Sequence, residues 1–164
     1  MSNEQYAIIA DFPNYAISTY GNVLNIKTGR ILKTHDDCRG YDIVNLYNNK
    51  IKKHKKIHRL VIVAFLDNPE NKPYCDLIDR DKKNNNILNL RFATRSENAH
   101  NSSIKKTNTS TCTGVCFEKK TNNWRVKISI NGKMKHIGCY DNFDEAVASR
   151  KYQEDLHYKE FRAL

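Results

Sequence analysis

The chain has 164 residues, with 28 lysine and arginine residues against 18 aspartate and glutamate residues, and a formal net charge of +10. This excess favours nucleic acid or another anionic surface as the partner. No stretch approaches the roughly 20 apolar residues of a membrane span, the N-terminus lacks a signal-peptide pattern, and five cysteines without framework spacing indicate a reducing, intracellular compartment.

The N-terminal segment predicts short strands separated by turns. The stretch YAIIADF alternates, and the β-prone stretch YAISTYGNVLNI is interrupted at Gly21-Asn22, a good hairpin turn. Thr28-Gly29 predicts a second turn, and a further alternating strand, YDIVNLY, follows. We therefore expect a β-rich module over residues 1–52.

A basic run follows this module. Lys50–Arg59, KIKKHKKIHR, carries six positive charges and two histidines. Such a run is often a solvated face, but this one leads directly into the apolar segment LVIVAFL, so contact with phosphate is an equally good interpretation. Periodicity does not decide whether the apolar segment is a strand or a helix. The candidate nucleic-acid contacts are Lys52, Lys53, Lys55, Lys56 and Arg59.

The segment Cys75–Phe92, CDLIDRDKKNNNILNLRF, brings acids and amides together. A divalent cation that promotes phosphodiester cleavage needs a carboxylate, an amide or imidazole, and a base beside them that deprotonates the attacking water. Asp76 can supply the carboxylate, and the adjacent position suits the base but holds Leu77. Asp79 and Asp81 are either further ligands or turn-forming residues, and the three asparagines 84–86 also suit a turn.

A polar helix and a linker are predicted next. In Thr94–Asn101, TRSENAHN, Thr94 and Glu97 have the spacing of a capping box. Residues 102–110, SSIKKTNTS, are polar and lack apolar periodicity, which predicts a linker.

Residues 111–164 predict a separate unit of three strands and a helix. The strands are GVCFEKK, NWRVKISI and KMKHIGCY, the last two joined by the hairpin signal Asn131-Gly132, and the helix is NFDEAVASRKYQEDLHY with Asp141 or Asn142 as its N-cap. Alternation places Arg125 and Lys127 on one face of the sheet. The other candidate nucleic-acid contacts here are Lys119, Lys120, Lys133 and Lys135.

Two further features of this unit have alternative interpretations. Trp124 either packs against the helix or stacks on a base. The residues Cys112, Cys116, His136 and Cys139 fit no standard zinc spacing, so small buried thiols are the default interpretation.

The central motif elements lie in register over about residues 53–101. They are His58-Arg59-Leu60-Val61, Ala64-Phe65, Asn68-Pro69, Asp76-Leu77-Ile78-Asp79, Asn85-Asn86, Asn89-Leu90-Arg91-Phe92 and Glu97-Asn98. This set resembles the HNH homing endonucleases of phages and large DNA viruses. The N-terminal set FPNYAIS, YGNV, TGRILK and GYDIVNL resembles the nuclease-associated modular domain, and residues 113–152 resemble the plant-type Apetala/ethylene-response DNA-binding domain.

These resemblances imply an α+β fold of small modules. The expected modules are a β-rich nuclease-associated module (1–52), a ββα-metal HNH unit (53–101), a linker (102–110), and a three-stranded antiparallel sheet plus C-terminal helix (111–164). The implied partner is double-stranded DNA, with no membrane contact, and we expect a monomer inside a host cell.

The resemblance also implies roles for individual residues. Asp76 and Asn98 would bind Mg²⁺ or another divalent cation, Asn89 would pin the loop that carries the base, and Arg91 would lie near the phosphate. The family has its general-base histidine where this chain has Leu77. The spacings from Leu77 to Asn89 and Asn98 are typical of the family, so the position is substituted rather than misaligned.

Leucine accepts no proton, so we expect phosphodiester cleavage to be weak or lost. The histidines 54, 58 and 100 are candidate substitute bases, although His58 also suits the core of the fold. The alternative is a sequence-specific DNA-binding regulator that does not cleave. RNA binding ranks lower, because no aromatic platform for unstacked bases is evident.

Overall fold

The computed structural model describes residues 3–104 and 108–162 of the chain. It has the α+β class that the sequence predicts, with several small antiparallel sheets. Its internal contacts divide it into two units, the first ending at Thr94 and the second beginning at Arg95. None of the helices in the described ranges combines the length and apolarity needed to cross a membrane.

The first unit is mainly β-structure. Its strands are β1 (Tyr6–Ile9), β2 (Phe12–Ser18), β3 (Val23–Asn25), β4 (Arg30–Ile31), β5 (His35–Asp36), β6 (Asp42–Asn48), β7 (Ile51–Lys56), β8 (Tyr74–Leu77) and β9 (Leu90–Ala93). They form a four-stranded sheet in the order β1-β2-β3-β4, a three-stranded sheet in the order β5-β6-β7, and the pair β8-β9. Helix α1 spans Ile57–Phe65, and Ile87–Asn89 form a short 3-10 helix.

The apolar segment after the basic run is helical, and most of the basic run is the strand β7. Helix α1 begins at Ile57 and buries Ile57, His58, Val61 and Ile62. These four positions have the spacing of one helix face, which explains why the segment packs as a helix rather than a strand.

One hydrophobic core serves the whole first unit. It combines Phe12 and Ile17 of β2, Leu46 of β6, Ile62 of α1 and Leu77 of β8. The predicted boundary between residues 52 and 53 falls within β7, and buried residues on both sides of it share this core. The module boundaries themselves remain a prediction.

The second unit contains the predicted sheet and helix. Its elements are α2 (Arg95–His100), β10 (Val115–Glu118), β11 (Asn123–Ile130), β12 (Lys133–Tyr140), α3 (Phe143–Tyr158) and a 3-10 helix (Lys159–Phe161). The antiparallel sheet has the order β10-β11-β12. Of the predicted linker, residues 105–107 lie outside the described residues, and Ser110 is buried and donates its hydroxyl hydrogen to the Val115 carbonyl.

Local signals in the second unit are confirmed. Asn131 and Gly132 both have positive φ, 51° and 77°, as a two-residue hairpin turn requires. Of the two candidate N-caps, Asn142 has the role, since its Oδ1 accepts from the Asp144 N–H at 2.7 Å. The Trp124 ring lies 4.6 Å from that of Phe143 on α3, so the tryptophan packs against the helix.

Gly21 adopts a φ of +90° at a point where two other segments approach it closely. A Cβ atom there would lie 2.8 Å from the Asn85 Cβ and 2.9 Å from the Ile57 Cγ2. Gly29 also has a positive φ, +68°, but a Cβ atom there would meet nothing within 4 Å. The two glycines therefore separate backbone strain from steric overlap.

We expect Gly21→Ala to lower the free energy of unfolding by about 2–4 kcal/mol, because left-handed strain and overlap add. Gly29→Ala, which carries only the strain, should cost about 1 kcal/mol. Urea titration followed by circular dichroism measures both. Equal losses in the two variants would contradict the close packing of Gly21 against Asn85 and Ile57.

His58 is a core residue of α1. It is 5% exposed, its ring centroid lies 5.0 Å from that of Tyr41, and its Nδ1 has no hydrogen-bond partner within the part of the chain that the structure describes. Burial, followed by the positive charges of Lys56 and Arg59, lowers the pKa of His58 from 6.5 to about 4. The native state therefore holds this ring neutral at neutral pH.

This burial predicts a loss of stability in acid. Below pH 6.5 the unfolded chain binds a proton at His58, whereas the native chain binds it only below about pH 4. Stability should fall across that window by about 3 kcal/mol, and His58→Phe should remove this part of the slope. His35→Gln, on the exposed strand β5, is the surface control, and a slope unchanged in His58→Phe would refute the assignment.

Candidate functional site

The pairing of β8 with β9 places Asp76 opposite Arg91 and Leu77 opposite Leu90. Asp76 is 4% exposed. Its Oδ2 accepts from the Arg91 Nε at 2.8 Å and lies 2.7 Å from the Arg91 Nη2. Both guanidinium contacts converge on one oxygen, so Arg91 balances the buried charge and fixes the orientation of the carboxylate.

Leu77 is part of the hydrophobic core. Its side chain is 7% exposed and belongs to the same buried cluster as Ile62 and Leu90. The position beside the candidate metal carboxylate therefore holds an apolar group that packs inward. It offers neither a proton acceptor nor a ligand.

Asn89 ties together the loop that follows β8. Its Oδ1 accepts from the Asp79 backbone N–H at 3.0 Å, and its Nδ2 donates to the Asp79 Oδ1 and to the Asn84 carbonyl, each at 2.8 Å. Asn89 is buried. The loop from residue 79 to residue 84 is thus closed by a single asparagine.

The acids of this loop are occupied by hydrogen bonds within it. Asp79 accepts from the Asn84 Nδ2 at 2.7 Å and from the Asp81 N–H at 2.8 Å, and Asp81 accepts from the Lys83 N–H at 2.9 Å. Burial opposes ionisation of Asp79, but the hydrogen bonds from Asn84, Asp81 and Asn89 outweigh it and lower its pKa. These contacts favour the turn-forming interpretation of Asp79 and Asp81.

The loop is also fastened to the N-terminal strands. Asn85 is buried and its Nδ2 donates to the Asp42 Oδ2 at 2.9 Å, while the Lys83 Nζ pairs with Asp42 at 2.9 Å and with Asp36. Sequence reasoning missed this link, since polar residues more than 40 positions apart give no local signal. It shows that two of the polar loop residues hold the loop against β5 and β6.

The candidate substitute bases lie in different places. His58 is buried in the core, His54 is exposed on β7, and His100 lies on α2, where its ring stacks on Tyr158 at 3.6 Å. Burial lowers the pKa of His100. Of the predicted site residues, the structure brings Asp76, Leu77, Asn89 and Arg91 together in the first unit, and Asn98 belongs to α2 in the second.

The donors fit a hard divalent cation by type. Mg²⁺ prefers oxygen ligands and is usually held by one or two carboxylates together with water and phosphate. Asp76 supplies a carboxylate, and hydrogen bonds such as those from Arg91 commonly orient ligating carboxylates. Across residues 3–104 and 108–162 no three His, Cys, Asp or Glu side chains are grouped to hold a metal.

The basic run does not form one face. In β7, Lys53 and Lys55 pair with the buried Leu46 and Val44, so Lys52 and Lys56 point to the opposite side of the sheet. Lys55 contacts Asp11 at 3.7 Å, Lys56 contacts Asp37 at 3.1 Å, and the Arg59 Nη2 donates to the Pro73 carbonyl at 2.7 Å. Three of the five predicted contacts therefore already have partners in the protein.

The C-terminal sheet divides its cations between two faces. Arg125 pairs with Cys116 and Cys139, and Lys127 pairs with His136, on the face away from the buried Ile128. Lys135 pairs with Ile128 and Lys133 with Ile130, which places both on the opposite face.

The shared face predicted for Arg125 and Lys127 is thus present, and the register of the strands places Lys133 and Lys135 on the other face. The Arg125 Nη1 also lies 3.3 Å from Glu118. Lys119 and Lys120 are exposed in the turn after β10.

Known proteins that are similar to this chain support the resemblances found in its N-terminal and central segments. Residues 4–47 match the NUMOD4 motif, which confirms the resemblance to a nuclease-associated module. "Uncharacterized HNH endonuclease L245" of Acanthamoeba polyphaga mimivirus is 40% identical over 85 residues, which cover 52% of this chain and 26% of that protein. "DNA endonuclease I-HmuI" of Bacillus phage SP01 is 34% identical over 88 residues, covering 54% of this chain and 51% of that protein.

The solved structure described as "DNA binding and cleavage by the HNH homing endonuclease I-HmuI" superimposes with a TM-score of 0.57 at 25% identity, covering 95% of this chain and 94% of that one. The chain spans only about a quarter of the mimivirus relative, 26% of its length. The chain is therefore similar in sequence and in fold to HNH endonucleases of phages and of a mimivirus.

Proposed function

We propose that the chain binds double-stranded DNA and that its metal-dependent phosphodiester cleavage is weak or lost. The observation that carries this proposal is Leu77, an apolar residue packed in the core at the position of the family's general base. A positioned base contributes about 10²–10⁴-fold to the rate of such reactions. Nothing at position 77 can take the proton of an attacking water.

The proposed metal ligands are Asp76 and Asn98, with Mg²⁺ or another divalent cation as the cofactor. When bound, such an ion supplies Lewis-acid stabilisation of the phosphate. Arg91 holds the Asp76 carboxylate in one orientation through Oδ2. Asn89 closes the loop that follows β8, from residue 79 to residue 84. The residue just before this loop at the base position is Leu77, which cannot act as a base.

None of the three histidines is proposed as a substitute for the missing base. His58 is enclosed in the core, and its Nδ1 is buried without a hydrogen-bond partner among the described residues. His54 lies on β7 in the first unit, and His100 lies on α2 in the second. The second candidate function, a DNA-binding regulator that does not cleave, is favoured by the same buried leucine.

DNA as partner is supported by the net charge of +10 and by the relatives, one of which is described as binding and cleaving DNA. In the C-terminal unit we propose an Apetala-type mode, with Arg125 and Lys127 on the contacting face and Lys119 and Lys120 beside it. In the first unit, the proposed contacts are those of β7 and Arg59. The phage and mimivirus relatives support a location inside a host cell, and we propose a monomer.

Leu77→His should gain metal-dependent nicking of supercoiled plasmid, by at least about 10²-fold over the native chain. The reason is that the substitution returns a proton acceptor beside a carboxylate that Arg91 already orients. Leu77→Ala, which removes the leucine without adding a base, is the matched control and should not cut. Circular dichroism checks that each variant is folded, because position 77 is buried.

The double variant Leu77→His/Asp76→Ala should lose whatever Leu77→His gains. If the native chain cuts DNA and Asp76→Ala abolishes that cutting, the proposed loss of cleavage is contradicted. Another group must then supply the base. Failure of folded Leu77→His to cut a target-bearing plasmid would show that the unit lacks more than a histidine.

Binding to duplex DNA should weaken steeply as salt rises, with a log–log slope of about −3 or steeper, because lysine and arginine side chains release condensed counterions. Fluorescence anisotropy at several salt concentrations measures the slope. Lys127→Gln should weaken binding more than Lys135→Gln, since both remove one charge from the same sheet but on opposite faces. Equal effects would argue against the Arg125 face, and an affinity independent of salt would argue against DNA binding itself.

A further inference from the structure

An irregularity in β12 brings a histidine and a cysteine to the same face of the C-terminal sheet. The register of β12 against β11 shifts there, so that Ile137 has no partner on β11 and forms a bulge. Residues three apart in a regular strand point to opposite faces, and one extra residue reverses this relation. His136 and Cys139 therefore both lie on the face that carries Arg125, and the Cys139 Sγ is 4.0 Å from the His136 Nε2.

Two free thiols flank Arg125 on this face. Cys116 of β10 and Cys139 of β12 are its cross-strand partners, and both are exposed rather than buried as the sequence predicts. Neighbouring strands are about 4.8 Å apart, so the Cα atoms of the two cysteines are separated by roughly 10 Å across β11. A disulfide requires Cα atoms within about 7 Å of each other. The two cysteines are therefore not a disulfide pair, and a mixed disulfide with a second molecule is the disulfide chemistry open to them.

The surroundings of Cys139 favour an anionic reagent. Arg125 and Lys127 lie on the adjacent strand and on the same face. The Arg125 Nη1 is 3.3 Å from Glu118, and within the described ranges Lys127 has no ion pair. Local positive charge raises the concentration of reagents that carry carboxylates.

Cys139 and His136 together have the groups that thiol–disulfide exchange uses. The thiolate is the attacking species, so a base beside the thiol promotes the reaction. The thiol proton passes to the His136 Nε2, and the Cys139 sulfur attacks one sulfur of the reagent. The S–S bond of the reagent breaks, and the departing thiolate recovers the proton. One protein thiol and one small disulfide thus give one mixed disulfide and one small thiol.

We propose that Cys139 is a modification site for an anionic low-molecular-weight disulfide, with His136 as the base, and that the resulting mixed disulfide covers the Arg125 face. The attached group would place its carboxylates beside Arg125 and Lys127, where a DNA phosphate would otherwise lie. The modification would therefore release DNA, and a reducing thiol would reverse it. The effect on DNA rests on the proposed DNA binding by this face, whereas the exchange at Cys139 does not.

Glutathione disulfide is the anionic probe, and mass spectrometry of the intact full chain and of its peptides follows the reaction. Cys139 should react at least about threefold faster than Cys38, an exposed thiol of the first unit that has no histidine contact among the described residues. His136→Gln, at an exposed position, should slow the reaction at Cys139 about threefold or more. Added salt should slow the reaction with glutathione disulfide but not the reaction with cystamine, a cationic disulfide.

Equal rates at Cys139 and Cys38, or a rate at Cys139 that His136→Gln leaves unchanged, would overturn the proposed site. Salt effects of the same sign for the two disulfides would contradict its preference for an anionic reagent.

Fluorescence anisotropy with duplex DNA tests the consequence of the modification. The native chain modified at Cys139 should bind about tenfold or more weakly than the reduced chain, because phosphate contacts are lost and negative charge is added. Dithiothreitol should restore the binding. Cys139→Ser should keep its own affinity when glutathione disulfide is added, whereas Cys116→Ser should respond as the native chain does.

Undiminished binding by the chain modified at Cys139 would overturn the proposed block of the Arg125 face. If the reduced native chain shows no salt-dependent binding, it is the proposed function that fails. The mass measurement needs no DNA and decides the modification site independently, so the two failures are distinguished.

Discussion

The antiparallel register of β8 and β9 is the constraint on which the central site depends. It places Asp76 opposite Arg91, and two nitrogens of the Arg91 guanidinium contact one oxygen of the buried carboxylate. One residue further along, the same register sends Leu77 into the core with Leu90. A buried carboxylate without such a partner would be costly, so the pairing that orients Asp76 also makes its burial tolerable.

Local periodicity and turn chemistry were sufficient for much of the fold. The strands of the C-terminal sheet and the Asn131-Gly132 turn follow from alternation and paired turn residues, and the Asn142 cap marks the start of helix α3. The start of α1 was harder, because Lys50–Arg59 joins a strand to a helix with no glycine or proline between them. The contact of Asn85 with Asp42 joins residues 43 positions apart, and no local rule could have predicted it.

The site was predictable in its residue types but not in its contacts. The motif identified Asp76, Leu77, Asn89 and Arg91, which lie close together in the first unit. That Arg91 contacts the carboxylate itself, and that Lys133 and Lys135 lie away from Arg125, depends on cross-strand register. Register is a property of paired strands, so a single-strand pattern gives the alternation of faces and not the partner.

The shared core of the first unit limits where the genes of such proteins can recombine without disrupting the fold. Recombination near residue 52 would separate Phe12 and Leu46 from Ile62 and Leu77. Each recombinant protein would then contain only part of the native core. A crossover after Thr94 would keep that core whole. The last residue of the HNH motif, Asn98, would then be inherited with the C-terminal sheet, so that one gene fragment would carry both a candidate metal ligand and a candidate DNA-reading surface.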